Sequence, residues 1–175
     1  RVIVVAGPSS SGKTTTTVKL VERLKRDGRI LVTLNLDNYY KSLDKYEVDE
    51  FGDSDFEDPH ALSLDLINDH LRKLLRGETI QMPRYDFRKG LRIDNHKTFS
   101  LKTGETLILD SLHGLYPTLT HGIREEDTFK VFIGTFNVLL DRDGKYTRWT
   151  DVRLLRRMLR DHSHRNHSFT ETIGH

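Results

Sequence analysis

One stretch near the start of the chain decides the fold: Gly7-Pro8-Ser9-Ser10-Ser11-Gly12-Lys13-Thr14. It fits the pattern Gly-x-x-x-x-Gly-Lys-Ser/Thr, in which two glycines let the backbone turn and consecutive N–H groups face inward. The N–H groups form a nest for phosphate oxygens, the lysine adds a mobile charge, and the hydroxyl after it can bind Mg²⁺. We therefore predict a phosphate-binding loop (P-loop) that uses Gly7, Ser9, Ser10, Ser11, Gly12, Lys13, Thr14 and Thr15.

The residues on either side of the loop predict the context that it requires. Residues 2–6 are an apolar, β-branched run, which is typical of a buried parallel strand. After the loop, apolar residues recur at helical spacing, at Val18, Leu20, Val21 and Leu24. A helix that begins at the loop adds its N-terminal dipole to the anion site. Strand, loop and helix together indicate that the chain binds a nucleoside triphosphate.

Composition excludes several classes of protein. The chain has 175 residues and a formal net charge of +2, which gives no reason to expect nucleic acid as its main partner. It has no cysteine, so disulfides and cysteine-based metal sites are excluded. No apolar run approaches the roughly 20 residues that cross a membrane. We expect a cytoplasmic protein without a nucleic-acid or membrane partner.

Further apolar runs predict buried strands at 30–36, 106–110 and 129–134. Helices or loops join them, so we expect an α/β fold with a doubly wound parallel sheet in a single domain over 1–175. No fifth strand is visible, and the chain starts at Arg1 without a methionine. We therefore expect a domain that has been cut from a longer chain and lacks its C-terminal strand. A homo-oligomer and a fused N-terminal domain are open alternatives.

Two predicted strands end in carboxylates. Asp37 follows the run at 30–36, and Asp110 ends the run at 106–110. Ligands bind at the carboxyl ends of the strands in sheets of this kind. Asp37 is therefore a candidate general base or Mg²⁺-linked carboxylate, and Asp110 is a candidate second carboxylate for the metal bound by Thr14.

The middle of the chain gives weaker signals. Leucines and an isoleucine at helical spacing predict a helix from Pro59 to Gly77, and residues 42–58 predict a loop near the substrate. Residues 81–92 contain a proline and a glycine, which argue against a regular helix. The basic residues there either bind anions or belong to a solvated connection with aromatic anchors. A hairpin is expected around Asp143-Gly144.

The last predicted element is a cationic helix over 151–161. Its apolar stripe is formed by Val152, Leu155, Met158 and Leu159, and its remaining positions carry Arg153, Arg156, Arg157 and Arg160. Such a helix can close over a triphosphate and neutralise charge during transfer, and the alternative is a solvated basic face. Zinc is not expected at His162 and His164, because residues two apart do not share a helix face.

Four segments, in this order, resemble motifs of the uridine–cytidine kinase and phosphoribulokinase family of P-loop kinases. They are Asp37-Asn38-Tyr39-Tyr40-Lys41, Phe56-Glu57-Asp58-Pro59-His60-Ala61, Pro83-Arg84-Tyr85-Asp86-Phe87 and the whole of 151–161. The resemblance implies a P-loop NTPase fold of the nucleoside-monophosphate-kinase type with a basic helical lid. It also implies ATP and Mg²⁺ as cofactors and a small-molecule acceptor.

The resemblance implies a role for each matching residue. Asp37 would take the proton of the acceptor hydroxyl, and Asp110 would stand near Mg²⁺ in place of the family's glutamate. The implied catalytic residues are Asp37, Lys13, Arg156, Arg157 and Arg165. The implied acceptor-binding residues are Tyr40, Glu57, Tyr85, Arg92, Arg153 and His167.

Three departures from the family concern the acceptor. The histidine that reads a pyrimidine falls on Gly90, the acid that holds ribose falls on the longer Glu57, and the second lid arginine falls on His167. A site that loses its polar reader loses discrimination. We expect an ATP- and Mg²⁺-dependent kinase for a nucleoside-like or polyol-like hydroxyl. Two alternatives stay open. One is a true uridine or cytidine kinase in which Arg88 or His113 supplies the contact to the base that is missing at Gly90. The other is an ATP-binding regulatory module with vestigial phosphotransfer.

Overall fold

A computed structural model describes residues 1–45, 56–135, 139–165 and 168–174 of the chain. The strands are β1 (Val2–Ala6), β2 (Ile30–Asn35), β3 (Ile80–Asp86), β4 (Leu91–Phe99), β5 (Glu105–Ser111) and β6 (Thr128–Phe132). The α-helices are α1 (Lys13–Arg26), α2 (Leu64–Leu75), α3 (Trp149–Arg165) and α4 (Phe169–Gly174). Short 3₁₀ turns lie at Leu36–Tyr39, Leu43–Lys45, Pro59–Ala61, Pro117–Thr120 and Glu125–Asp127.

A four-stranded parallel sheet with the order β2-β5-β1-β6 confirms the predicted α/β fold. Its register pairs Val5 with Asp110 and Asn35 with Asp110, so β1, β2 and β5 end at the same edge. The P-loop follows β1, and Asp37 follows β2 by two residues. The sheet therefore brings the P-loop and both predicted carboxylates to one edge, as the sequence indicated.

Burial differs between the centre and the edges of the sheet. Central β5 is buried from Leu107 to Ser111, as its apolar run predicts. The prediction that the run at 129–134 is buried is wrong, because Phe129 and Phe132 are 68% and 61% exposed. The reason is position: β6 is an edge strand and pairs only with β1 in the described sheet. Strand β2, at the opposite edge, is also only partly buried.

Residues 80–99 form an antiparallel hairpin of β3 and β4, which the sequence did not predict. The register shifts between Met82 and Arg84, at the proline whose missing N–H interrupts the ladder. Gly90 lies in the turn with a φ of 62°. The predicted absence of a helix is correct, but the segment is a regular ribbon whose second strand is mostly exposed.

For the remaining elements, the predicted type of structure agrees with the observed one better than the predicted boundaries do. The helix expected from Pro59 begins as a 3₁₀ turn and becomes α2 only at Leu64. The hairpin around Asp143-Gly144 is present, with a bridge between Leu140 and Tyr146. Of the expected loop over 42–58, residues 46–55 lie outside the described residues. No helix within the described residues is both long and apolar enough to span a membrane.

Candidate active site

The P-loop joins the end of β1 to the start of α1. Gly12 precedes α1 with a φ of 102°, and Gly7 has a φ of 153°. A Cβ added to Gly7 would lie 2.1 Å from the carbonyl oxygen of Ile133, so the loop packs directly against the chain after β6. Only glycine fits this position, which explains its place in the motif.

Two hydroxyl groups of the loop are suited to an anion. The Oγ atoms of Ser10 and Ser11 are buried and have no hydrogen-bond partner within the described parts of the chain. A buried hydroxyl without a partner is costly, so such groups usually bond to water or a ligand. With the α1 N-terminus behind them, they form a cradle that fits phosphate oxygens.

Asp110 lies next to the first turn of α1. The Thr14 hydroxyl donates to Asp110 Oδ2 at 3.3 Å, and the Asp110 residue is only 7% exposed. Burial raises the pKa of Asp110, while the Lys13 charge and the Thr14 hydrogen bond oppose that shift. A hydroxyl beside a carboxylate offers the hard oxygen ligands that Mg²⁺ prefers, so Thr14 and Asp110 fit the predicted metal position.

Lys13 is surrounded by the charged groups of the site. Burial lowers its pKa, and the charges of Asp110 and Asp37 partly oppose this effect. The guanidinium groups of Arg160 and Arg153 lower the pKa further. The Lys13 amine itself donates to the Pro8 carbonyl at 3.1 Å. The fold therefore gathers two carboxylates and two lid arginines around the P-loop lysine.

Asp37 is held by a rigid turn. Its backbone N–H donates to Asn35 Oδ1 at 2.8 Å, which caps the 3₁₀ turn Leu36–Tyr39. In the same turn, fully buried Tyr39 contacts His70 Nδ1 through its hydroxyl at 2.9 Å. The Tyr39–His70 contact thereby ties the turn to α2, so the backbone that carries the Asp37 carboxylate is held in place.

An aromatic cluster, made of Tyr40, Phe56, Tyr85 and Phe87, adjoins this turn. Tyr40 packs edge to face on Phe56 and Tyr85 does so on Phe87, with ring centroids 5.2 Å and 4.8 Å apart. The Tyr85 hydroxyl is buried and lacks a partner in the described structure, and burial raises its pKa. The cluster thus offers one unpaired polar group on an apolar wall.

The four other predicted acceptor-binding residues differ in their surroundings. Arg153 Nη2 lies 3.2 Å from Glu57 Oε1, so the structure brings these two residues together, and their contact with an acceptor stays a prediction. The Arg92 guanidinium instead contacts Ser63 Oγ and Asp94 Oδ1. His167 lies outside the described residues, so its predicted role stays a prediction.

Helix α3, the lid helix, turns its arginines towards the P-loop. Arg156 Nε donates to the Ser10 carbonyl at 2.8 Å, and Arg160 Nη1 donates to Ser9 Oγ at 2.6 Å. Arg157 lies near Asp161, with 3.7 Å between Nε and Oδ2. Arg165 is the last residue of the helix, and its role stays a prediction. Sequence reasoning assigns Arg160 no role apart from the other lid arginines and assigns Asp161 none, although both residues belong to the quoted motif.

A P-loop on a parallel sheet, two strand-end carboxylates and an arginine-bearing lid define a P-loop kinase. The chain belongs to the Phosphoribulokinase / Uridine kinase family, whose sequence profile matches residues 2–174.

Two relatives agree with this assignment, and a solved structure shares the fold. Uridine kinase from Deinococcus deserti is 34% identical over 160 residues, which cover 91% of this chain and 68% of that protein. Uridine kinase from Borrelia turicatae is 32% identical over 173 residues, which cover 99% of this chain and 73% of that protein. The structure of a possible uridine kinase from Bacillus stearothermophilus superimposes with a TM-score of 0.59 at 18% identity, covering 88% of this chain and 80% of that one.

Proposed function

We propose that the protein is an ATP- and Mg²⁺-dependent kinase that transfers a phosphoryl group to a hydroxyl of a small polyol-like or nucleoside-like acceptor. One arrangement carries the proposal: the Thr14 hydroxyl lies beside the buried carboxylate of Asp110, while Arg156 and Arg160 of the lid helix donate to the P-loop residues Ser10 and Ser9. Phosphoryl transfer requires cations on the phosphates and carboxylates for the metal and the acceptor, all within one small volume. The same residues would have no reason to converge in a protein that used its P-loop only as a turn.

The chain's own residues divide this work. Bound Mg-ATP supplies the transferable phosphoryl group and neutralises part of its charge. The hydroxyls of Ser10 and Ser11 hold phosphate oxygens, and Thr14 with Asp110 holds the metal. Asp37, fixed by its capped turn, orients the acceptor hydroxyl and accepts its proton. The lid arginines exclude water and stabilise the negative charge that spreads over the transferring group.

The turn of the β3–β4 hairpin supports an acceptor without a pyrimidine. A Cβ at Gly90 would lie 2.1 Å from Leu43 Cδ1, so Leu43 fills the space into which a side chain at position 90 would project. The Leu43 N–H donates to the Gly90 carbonyl at 2.9 Å, which fixes the two segments together. The remaining polar groups, on Glu57, Arg153 and Tyr85, are suited to hydroxyls, which favours a polyol.

A product screen tests the proposal. The protein is incubated with Mg-ATP and a panel of sugars, polyols and nucleosides, and the products are identified by mass. Asp37→Asn is expected to lower turnover by about a hundredfold or more while ATP affinity is retained. Asp65→Asn, a matched change at an exposed position in the first turn of α2, is expected to leave turnover unchanged. Full activity in Asp37→Asn would contradict the assignment of the general base.

A second candidate is phosphorylation of uridine or cytidine, which the names of the relatives above favour. Phosphorylated uridine as the main product would mean that another residue replaces the missing reader at Gly90. Tight ATP binding without turnover of any acceptor would instead support a regulatory module. The proposed reaction needs neither a nucleic acid nor a membrane, and we propose that it takes place in the cytoplasm.

A further inference from the structure

One carboxylate of the lid helix has no part in the mechanism above. Asp161 is only 2% exposed and lies near two arginines of its own helix. Its Oδ1 atom accepts a hydrogen bond from Arg160 Nε at 2.8 Å and lies 2.7 Å from Arg160 Nη2. Its Oδ2 atom lies 3.7 Å from Arg157 Nε, one turn earlier. Both carboxylate oxygens of Asp161 therefore face guanidinium groups.

This arrangement fixes the direction of the Arg160 side chain. A guanidinium group presents its donors on separate edges, and Asp161 engages the edge formed by Nε and Nη2. The remaining nitrogen, Nη1, points to the P-loop and donates to Ser9 Oγ at 2.6 Å. An unconstrained arginine has many rotamers, so holding one edge lowers the entropy that is lost when the opposite edge binds an anion.

We propose that Asp161 is a positioning residue that presents the Nη1 edge of Arg160 to the triphosphate in the P-loop. The lid arginines already have the task of binding phosphate, and the new element is the role of Asp161 in directing one of them. This inference rests on the proposed function, because it takes the P-loop ligand to be ATP.

Two explanations of Asp161 predict opposite signs for the same substitution. If Asp161 acted only through its charge, its removal would make the P-loop region more positive and would tighten ATP binding. If Asp161 positions Arg160, Asp161→Asn weakens ATP binding although it removes a negative charge close to the anion site. The direction of the change therefore separates the two explanations.

The first experiment is a double-mutant cycle on ATP affinity, measured by isothermal titration with and without Mg²⁺. Arg160→Gln is expected to weaken binding about tenfold to a hundredfold, as for the loss of a hydrogen bond to a charged group. Asp161→Asn is expected to weaken it about fivefold, and the double variant is expected to be no weaker than Arg160→Gln alone. Asp69→Asn, which removes the carboxylate of an exposed helical ion pair with Lys73, serves as the matched control.

Unchanged or tighter ATP binding in Asp161→Asn would overturn the proposal, and so would losses that simply add in the double variant. Asp161→Glu keeps the charge but moves the carboxylate by one methylene, so it is also expected to weaken binding. Thermal unfolding of each variant shows whether it is folded under the conditions of the titration.

A measurement without nucleotide separates this inference from the proposed function. In protein labelled with ¹⁵N-arginine, the Nε–H signal of Arg160, assigned by its absence in Arg160→Gln, is expected to exchange slowly with water. Asp161→Asn is expected to make that exchange at least about tenfold faster, because the hydrogen bond to Oδ1 is weakened. Slow exchange that persists in Asp161→Asn would overturn the positioning role even if ATP binds. Failure of the wild-type protein to bind ATP would refute the proposed function instead.

Discussion

Replacement of Gly7 by alanine tests the structural basis of the P-loop directly. The added Cβ would lie 2.1 Å from the Ile133 carbonyl oxygen and 3.1 Å from Ser11 Oγ. The Ile133 carbonyl cannot yield easily, because the Ile133 N–H is bonded to the Ala6 carbonyl at 2.8 Å. Relief of the contact therefore requires a shift of about 1 Å in the loop or in the chain after β6. Either shift disturbs the nest that holds phosphate.

Gly28 provides a matched control for the magnitude. It also has a positive φ, of 76°, but a Cβ there would meet nothing within 4 Å. Alanine at position 28 is expected to cost only the backbone strain, about 1–2 kcal/mol. Alanine at position 7 adds an overpacking cost of about 1–3 kcal/mol, for a total of about 2–5 kcal/mol. For a chain of this length, about 2–4 °C of melting temperature is lost per kcal/mol.

Both variants are compared with the wild type by thermal unfolding and by titration with ATP. Gly28→Ala is expected to bind ATP as the wild type does, with a loss of about 2–8 °C in melting temperature. Gly7→Ala is expected to lose more in melting temperature and to bind ATP at least about a hundredfold more weakly, because the cradle is displaced. The reasoning would be refuted if the two variants had equal melting temperatures, or if Gly7→Ala bound ATP normally.

Three further predictions concern other parts of the molecule. Burial lowers the pKa of His70 below its ordinary value of 6.5, so the unfolded state takes up a proton at a higher pH than the folded state does. The wild type is therefore expected to lose stability as pH falls below about 6.5. His70→Gln should remove that loss, as measured by urea unfolding between pH 8 and 5. Asn68 bonds to the carbonyls of Leu64 and Thr118 and accepts from the Gly122 N–H, so Asn68→Ala is expected to cost about 2–4 kcal/mol in urea unfolding. Asp110→Asn is expected to raise the Mg²⁺ concentration needed for half-maximal activity about tenfold or more, while an unchanged Mg²⁺ requirement would exclude Asp110 from the metal site.

The features that could be predicted from the sequence are those with a local cause. The P-loop is one continuous stretch whose backbone conformation depends on its own glycines. The central strands are apolar runs with clear ends, and strand-end carboxylates reach the same edge of any parallel sheet. The sequence therefore predicts that Asp37 and Asp110 lie at the ligand-binding edge of the sheet, and in the structure Asp37 follows β2 by two residues and Asp110 lies near the end of β5.

Features that depend on neighbours could not be predicted in the same way. The apolar run at 129–134 looks buried, but its burial depends on whether a further strand or helix covers it, and β6 is an edge strand. Strand β4 has no clear apolar alternation because most of its side chains are exposed. The space at Gly90 is filled by Leu43, a residue 47 positions away. A contact between residues so far apart in the sequence cannot be predicted from a local pattern.

The orientation of the lid helix is the clearest conflict between local pattern and function. Its apolar stripe would normally face a core, yet Leu155 and Leu159 are 57% and 62% exposed. The side that faces the P-loop carries Arg156 and Arg160, which bond to the loop. Arg156 is exposed, but the Arg160 side chain is only 27% exposed, so holding its charge beside the P-loop costs desolvation that a bound anion would offset. Where a fold gives up apolar burial in this way, the charged face marks the site at which the protein acts.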